Sequence, residues 1–326
     1  MIKVSKLLTL SAVMMSSMTL NIGAQVTKAN KPITIGFSQV GAESEWRTAN
    51  TMSIKQAAKD YGITLKFSDA MNRQENQIKA IRSFIAQKVD VIAFSPTTTS
   101  GWETVLQEAK RAKIPVILTD RGVDVKDTTL FVTLMGSDFK VEGVRAGDWL
   151  VDYMNKKGKG SEPVNIVELQ GTVGSDPAIQ RQAGFMEVIK KYPNYKVIRS
   201  QTGDFTRAQG KEVMEAFLKA EGKNINVLFA HNDDMAIGAI QAIEEYGLKP
   251  GQDIVIVSID AVKGAFEAMM AGKLNCTVEC SPLLGPQLMQ AAIDLKNGKT
   301  IPKRILTEEG VFPAETAAKE FPNRKY

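Results

Sequence analysis

Ile33-Thr34-Ile35-Gly36-Phe37-Ser38-Gln39-Val40-Gly41-Ala42-Glu43-Ser44-Glu45-Trp46-Arg47 opens as an apolar β-run, passes through a polar loop and enters the first turn of a helix. The amphipathic segment continues from Glu45 to about Tyr61, and Gly62 follows as a C-terminal capping glycine would. A strand that feeds a helix through a short loop is the unit of a parallel α/β sheet, where ligands bind outside the carboxyl ends of the strands. The loop here carries an amide (Gln39), two carboxylates (Glu43 and Glu45), an indole (Trp46) and a guanidinium (Arg47). It is the first place to look for a polar ligand.

The same unit repeats outward from this stretch. Ile63–Asp69 reads as a second strand, Gln74–Gln87 as a helix with Ile78, Ile81, Phe84 and Ile85 on one face, and Val89–Ser95 as a buried strand closed by Pro96. Glu103–Lys113, Ile114–Asp120 and Leu130–Met135 continue as helix, strand and strand. The rhythm restarts with a helix at Phe139–Lys156. Strands follow at Val164–Leu169, Val197–Thr202, Val227–Ala230, Ile254–Ile259 and Leu274–Glu279, each pair separated by a helical pattern. Two consecutive βα arrays predict an α/β chain of two doubly wound parallel-sheet lobes. The switch falls near Met135–Asp138. The late helix Leu283–Lys296 would return to the first sheet, which puts a second crossing near Cys280. The expected lobes are 31–136 with 281–305, and 137–280 with 306–326, joined by a multi-strand hinge because no Ser/Gly-rich or Pro-rich tether separates them.

Bulk properties narrow the class. The 326 residues are 44% hydrophobic and 24% charged, which is globular composition. Lys3 and Lys6 precede an uncharged apolar run, Leu7–Leu20, and a small-residue cleavage point at Ala24, with Ala29 as a second candidate. This pattern reads as a secretory signal peptide over 1–24, too short and too rich in Ser and Thr for a good membrane span. Its removal takes the net charge from +5 to about +3, and the remaining basic residues are scattered among acids. That argues against nucleic acid as a partner. Cys276 and Cys280 are the two cysteines. In a strand they would sit roughly 13 Å apart at ~3.3 Å per residue, beyond the ~7 Å limit of a disulfide, so two buried thiols are expected. One histidine, His231, leaves little for a zinc site or histidine catalysis. No metal and no cofactor is expected.

The strand ends supply the chemistry. Gln39, Glu43, Trp46 and Arg47 follow the first strand, and Asp120 and Arg121 the fourth. In the second array, Asp176 and Arg181 follow the first strand, Asp204 the second, His231-Asn232-Asp233-Asp234 the third and Asp260 the fourth. Carboxylates accept hydrogen bonds from hydroxyls, arginine donates in a fixed fork, and an indole packs on an apolar ring face. This kit suits a neutral polyol and suits phosphate poorly, since no glycine-rich loop opens a helix. Asp234 reads equally as a helix cap, Asp204-Phe205-Thr206 more as a cap than a ligand group, Trp102 and Trp149 as packing residues, and His231 as a structural histidine.

The order of elements resembles the type I periplasmic sugar-binding proteins of ABC importers, the family that includes ribose- and galactose-binding proteins. Within that family it is most similar to the galactofuranose-binding branch. The resemblance rests on Gly36–Gly41 with Trp46-Arg47, Gln74–Ala80, Asp124–Asp127, Val167–Gly174, Gly203–Arg207 and Ala230–Met235. It covers essentially the whole mature chain. It implies a periplasmic receptor, not an enzyme, whose two lobes close on one monosaccharide, a furanose such as galactofuranose. It implies ligand contacts from Gln39, Glu43, Ser44, Glu45, Trp46, Arg47, Asp120, Arg121, Arg181, Asn232 and Asp260. A membrane permease would be the partner, and the receptor would be a monomer. Three departures stand out. The branch's second-lobe cysteine pair falls on Val164 and Asn226 here, Glu45 replaces a small residue, and Asp176-Pro177 alters the loop before Arg181.

Other functions compete. A sugar-responsive sensor or chemoreceptor carrier would use the same fold. A regulator would add a DNA-binding head, and no helix-turn-helix pattern precedes Ile33. An exported glycosidase would need an acid/base pair of carboxylates, which no spacing singles out.

Overall fold

The computed structural model describes residues 32–326, so the expected signal segment 1–24 lies outside the described residues. Lobe one is built from β1 (Thr34–Gln39), α1 (Glu45–Asp60), β2 (Thr64–Asp69), α2 (Gln74–Ala86), β3 (Val91–Phe94), α3 (Glu103–Arg111), β4 (Val116–Thr119) and β5 (Thr133–Gly136). Lobe two follows with α4 (Phe139–Lys156), β6 (Val164–Gln170), α5 (Asp176–Ile189), β7 (Tyr195–Thr202), α6 (Arg207–Glu221), β8 (Val227–Ala230), α7 (Asp233–Glu245), β9 (Val255–Asp260), α8 (Lys263–Met270) and β10 (Cys276–Glu279). The chain then returns with α9 (Gly285–Lys296) and β11 (Arg304–Leu306) before ending in β12 (Val311–Pro313) and α10 (Ala317–Glu320).

The two sheets have the same plan. One runs β11-β5-β4-β3-β1-β2 and the other β12-β10-β9-β8-β6-β7, so each strand of one sheet has a counterpart in the other. Every strand pair is parallel except β10 with β12, whose register sets Thr277 opposite Phe312. The reason is topological. The chain crosses from β11 at the carboxyl end of the sheets, so it enters the second sheet from that end and runs against its neighbours.

Each sheet buries both faces, as parallel sheets do. In lobe one, Ile35, Phe37 and Ile117 pack on Ile54, Leu288 and Ile293, and Ile92, Phe94 and Leu118 pack on Ile81, Phe84 and Leu106. In lobe two, Val167, Leu169 and Leu228 pack on Met214, Phe217 and Ile243, while Ile166, Phe229 and Val257 pack on Leu150, Phe185 and Val188. The apolar stretch read as a strand from Leu130 starts only at Thr133. Asp127 accepts the Thr129 N–H and winds Thr128–Leu130 into a 3₁₀ turn instead. Three segments join the sheets: 137–138, 280–284 and 307–310. Among the described residues no helix is long and apolar enough to cross a membrane.

Candidate functional site

The carboxyl ends of both sheets face each other across a small chamber. Three arginines and three carboxylates line it: Arg47, Arg121, Arg181, Glu43, Asp120 and Asp260. Trp46, Phe205, Pro177, Ser44, Asn232 and Cys280 complete the wall.

Lobe one presents its groups from two strand ends. Ser44 caps α1 by accepting the Arg47 N–H, which starts the helix with Trp46 and Arg47 facing inward. Arg47 is 2% exposed, and each of its guanidinium nitrogens has a protein partner. Its Nε donates to Glu43 Oε1 at 3.0 Å, Nη2 to Asp120 Oδ2 at 2.8 Å, and Nη1 to Gln39 Oε1 at 3.2 Å. Its guanidinium also lies 4.6 Å from the centre of the Trp46 ring. Gln39 sits behind it, held by Asn50 and Thr51, and does not line the chamber. Arg121 is held more loosely. It donates to Thr97 O at 3.3 Å, stays 3.8 Å from Glu43 and 3.7 Å from Asp120, and leaves its Nε unpartnered. Burial and the neighbouring Arg47 pull its pKa down to about 10.

Lobe two repeats the arrangement with an arginine on the helix after its first strand and an aspartate at the end of its fourth strand. Arg181 on α5 donates from Nε to Glu142 Oε2 at 2.7 Å and from Nη1 to His231 O at 2.6 Å, and lies 3.6 Å from Asp260. Burial pushes Glu142 up to about 7 against the pull of Arg181. Asp260, the last residue of β9, is also raised well above its ordinary value by burial. Asn232 caps α7 through Met235 N and donates to Phe205 O at 3.1 Å, so it holds the phenyl ring that faces Arg121 at 5.2 Å. Asp120 and Asp260 both have left-handed backbone, with φ of 62° and 129°. Such conformations store strain of about 1–3 kcal/mol and cluster at ligand sites.

The eleven residues singled out from sequence divide in two. Glu43, Ser44, Trp46, Arg47, Asp120, Arg121, Arg181, Asn232 and Asp260 line the chamber, whereas Gln39 lies behind it and Glu45 lies at its rim. Glu45 Oε2 is 2.8 Å from Arg207 Nη2. Pro177, Phe205 and Cys280 line the chamber without having been singled out for it. Phe205 was read within a helix cap, and Thr206 beside it is indeed the cap of α6. Asp204 and Phe205 both have positive φ, 51° and 62°, a turn that apolar patterning does not reveal.

Apart from Cys280, the remaining residues lie outside the wall. His231 is buried and bonded to Glu168 at 3.0 Å. Trp102 is fully buried, and Trp149 stacks on Tyr153. Cys276 and Cys280 are both free and buried. Glu142, Cys280 and Glu309 place potential metal-ligating atoms within 4.8 Å of one another. Arg181 already pairs with Glu142, and the Ser137 hydroxyl donates to Glu309 and sits 3.2 Å from the Cys280 sulfur. The set is a hydrogen-bonded hinge cluster that a cation would have to dismantle.

Two fully buried side-chain atoms of the wall have no protein partner: Glu43 Oε2, an acceptor, and Arg121 Nε, a donor. Buried groups of this kind are costly unless paired, so the chamber is made for a ligand that donates and accepts.

Comparison with known proteins gives a consistent result. A family model described as "periplasmic binding protein domain" matches residues 35–300. The galactofuranose-binding protein of Escherichia coli K12 is 52% identical over 297 residues, covering 90% of this chain and 92% of that protein. A Mycobacterium smegmatis structure in complex with β-D-fucofuranose aligns with TM-score 0.87 and 55% identity, covering 90% of this chain and 95% of the other. The periplasmic binding protein component of the arabinose ABC transporter of Shewanella sp. ANA-3, bound to α- and β-L-arabinofuranose, aligns with TM-score 0.85 and 53% identity, again covering 90% and 95%.

Proposed function

The chain belongs to the periplasmic binding protein family, and from that premise we propose that it is the solute-binding component of a sugar ABC importer, taking one monosaccharide in furanose form between its lobes. The observation that carries this reading is the chamber, with its alternating arginines and carboxylates and its two unpaired atoms, Glu43 Oε2 and Arg121 Nε. A sugar hydroxyl both donates and accepts, so it can satisfy carboxylate and guanidinium together. Trp46 and Phe205 offer apolar surface for its C–H bonds. The relatives named above that bind galactofuranose, fucofuranose and arabinofuranose support the five-membered ring.

The mechanism is closure about the three-segment hinge. Lobe one, 31–136 with 281–305, supplies Trp46, Arg47, Asp120 and Arg121. Lobe two, 137–280 with 306–326, supplies Arg181, Asn232 and Asp260. Only the closed form makes both sets of contacts, so ligand shifts the equilibrium toward it. The closed receptor, a monomer in the periplasm, then delivers its sugar to a membrane permease without chemical change.

The test is calorimetry against L-arabinose, D-galactose, D-fucose and D-ribose, followed by carbon NMR of the bound, ¹³C-labelled sugar. Tight binding of at least one sugar, with furanose signals in the complex, is expected. Pyranose signals alone would overturn the ring assignment, no binding to any sugar would overturn the ligand class, and altered sugar recovered after incubation would overturn the transport role.

A further inference from the structure

Two sets of contacts bridge the lobes at the rim of the chamber without lining it. On one side, Arg207 at the start of α6 donates from Nη2 to Glu45 Oε2 at 2.8 Å and from Nε to Asp234 Oδ1 at 2.6 Å. Asp234 Oδ2 accepts the backbone N–H of Glu45 at 2.8 Å and so closes a ring of three residues across the cleft. On the other side, Asp176 Oδ2 accepts the Gly122 N–H at 2.7 Å, and Gly174 O accepts the Thr99 N–H at 2.9 Å. Glu45, Asp234 and Asp176 all stand in the first turn of a helix, where the helix dipole favours a negative charge.

We propose that these two rim clasps determine affinity by setting how long the closed complex lasts, while the chamber sets which sugar enters. The proposal rests on the sugar-receptor reading above. Apart from the Arg207–Asp234 pair, which lies within lobe two, the clasp contacts join residues of different lobes, so opening breaks them whatever the ligand. A contact made only in the closed form slows dissociation and leaves capture by the open form unchanged. The Arg207 side chain is 49% exposed, so its pair with Glu45 is worth little alone. Asp234 differs. Its side chain is 4% exposed, and without Arg207 the closed form would bury a carboxylate short of its partner.

The experiment compares wild type with Arg207→Ala, Asp176→Ala, the double variant and Arg207→Lys, using stopped-flow kinetics with L-arabinose. Each alanine variant should release the sugar about fivefold faster, with association within about twofold of wild type. The ranking of sugars should not change, and Arg207→Lys should restore part of the dwell time. Unchanged release in the double variant, or a change confined to association, would overturn the proposal. A second readout needs no sugar: fluorophores at Met71→Cys and Val173→Cys, both exposed and on opposite lobes, report the lobe separation. The double variant should show a longer mean distance than wild type. If wild type binds no sugar, the receptor reading fails by itself. The clasps are then judged by that distance, and an equal distance in both proteins rejects them.

Discussion

Asp120 and Asp260 hold the same post in the two lobes, each at the carboxyl end of a fourth strand, each near an arginine from the helix that follows a first strand. Asp120 is the more tightly engaged. It takes Arg47 at 2.8 Å and the Ser95 hydroxyl at 3.0 Å in a fully buried setting. Asp120→Ala leaves Arg47 with a charge it can no longer pair fully, and breaking a buried pair costs about 3–5 kcal/mol. Calorimetry should show sugar affinity down at least about 100-fold, with Asp120→Asn intermediate because it keeps the shape and one acceptor. Binding at wild-type strength in Asp120→Ala would remove it from the site. Glu142, beneath Arg181, yields a pH prediction. Burial lifts it from 4.5 to about 7, and Asp233 is likewise lifted to about 7. A raised carboxyl pKa means that the folded state holds protons the unfolded chain has released. Stability is therefore fully present below about pH 4.5 and declines as pH rises toward 7. Urea denaturation at pH 5 and pH 7.5 should show the loss. Glu142→Gln should flatten part of the slope, and an unchanged slope would mean that Glu142 is ionised throughout.

At the scale of elements, most of the framework was legible because its signals are local. Apolar runs of four to eight residues marked the strands, and Gly62 marked a helix end. What is not local was not legible. The antiparallel course of β12 depends on where the chain crosses between sheets, and the delayed start of β5 depends on one Asp127 hydrogen bond. Helix spacing is another such property. A Cβ on Gly143 of α4 would lie 2.2 Å from Arg181 O, and one on Gly184 of α5 would lie 2.1 Å from Lys140 O. The two helices therefore touch backbone to backbone, and α5 carries Arg181 into the chamber. Gly143→Ala must push α5 away, and overpacking of this kind costs about 1–3 kcal/mol. Thermal unfolding should register that loss, and sugar affinity should fall further than in Ala146→Gly, a change on the same helix away from Arg181. Equal affinities in the two variants would separate helix spacing from the site.

For the whole molecule, the sequence exposed the chamber's charged groups but not their assembly. Arginines and acids at strand ends announce themselves, since burying them has no other good reason. Phe205 and Cys280 did not, because apolar residues at a lobe contact look like core. Glu45 and Asp176 were legible as unusual and illegible in role. Both carboxylates bind the opposite lobe, a relation between residues far apart in the chain. The structure thus describes a closed form, stabilised partly by rim contacts that need no ligand, and this sharpens what ligand must do. If the rim contacts alone held the lobes together, sugar would add stability without changing shape. With only two small clasps at a solvent-facing rim, open and closed forms should both be populated without sugar, and ligand should supply the rest through both walls of the chamber. X-ray scattering should then show the radius of gyration fall on addition of a bound sugar. Calorimetric unfolding should shift upward with concentration, by about 2.7 kcal/mol at 100 times Kd. Because one ligand grips both lobes, the shift should move them together as a single transition. A thermal shift with no compaction would mean that the free protein already rests closed, which would make release, and not capture, the step that the hinge controls.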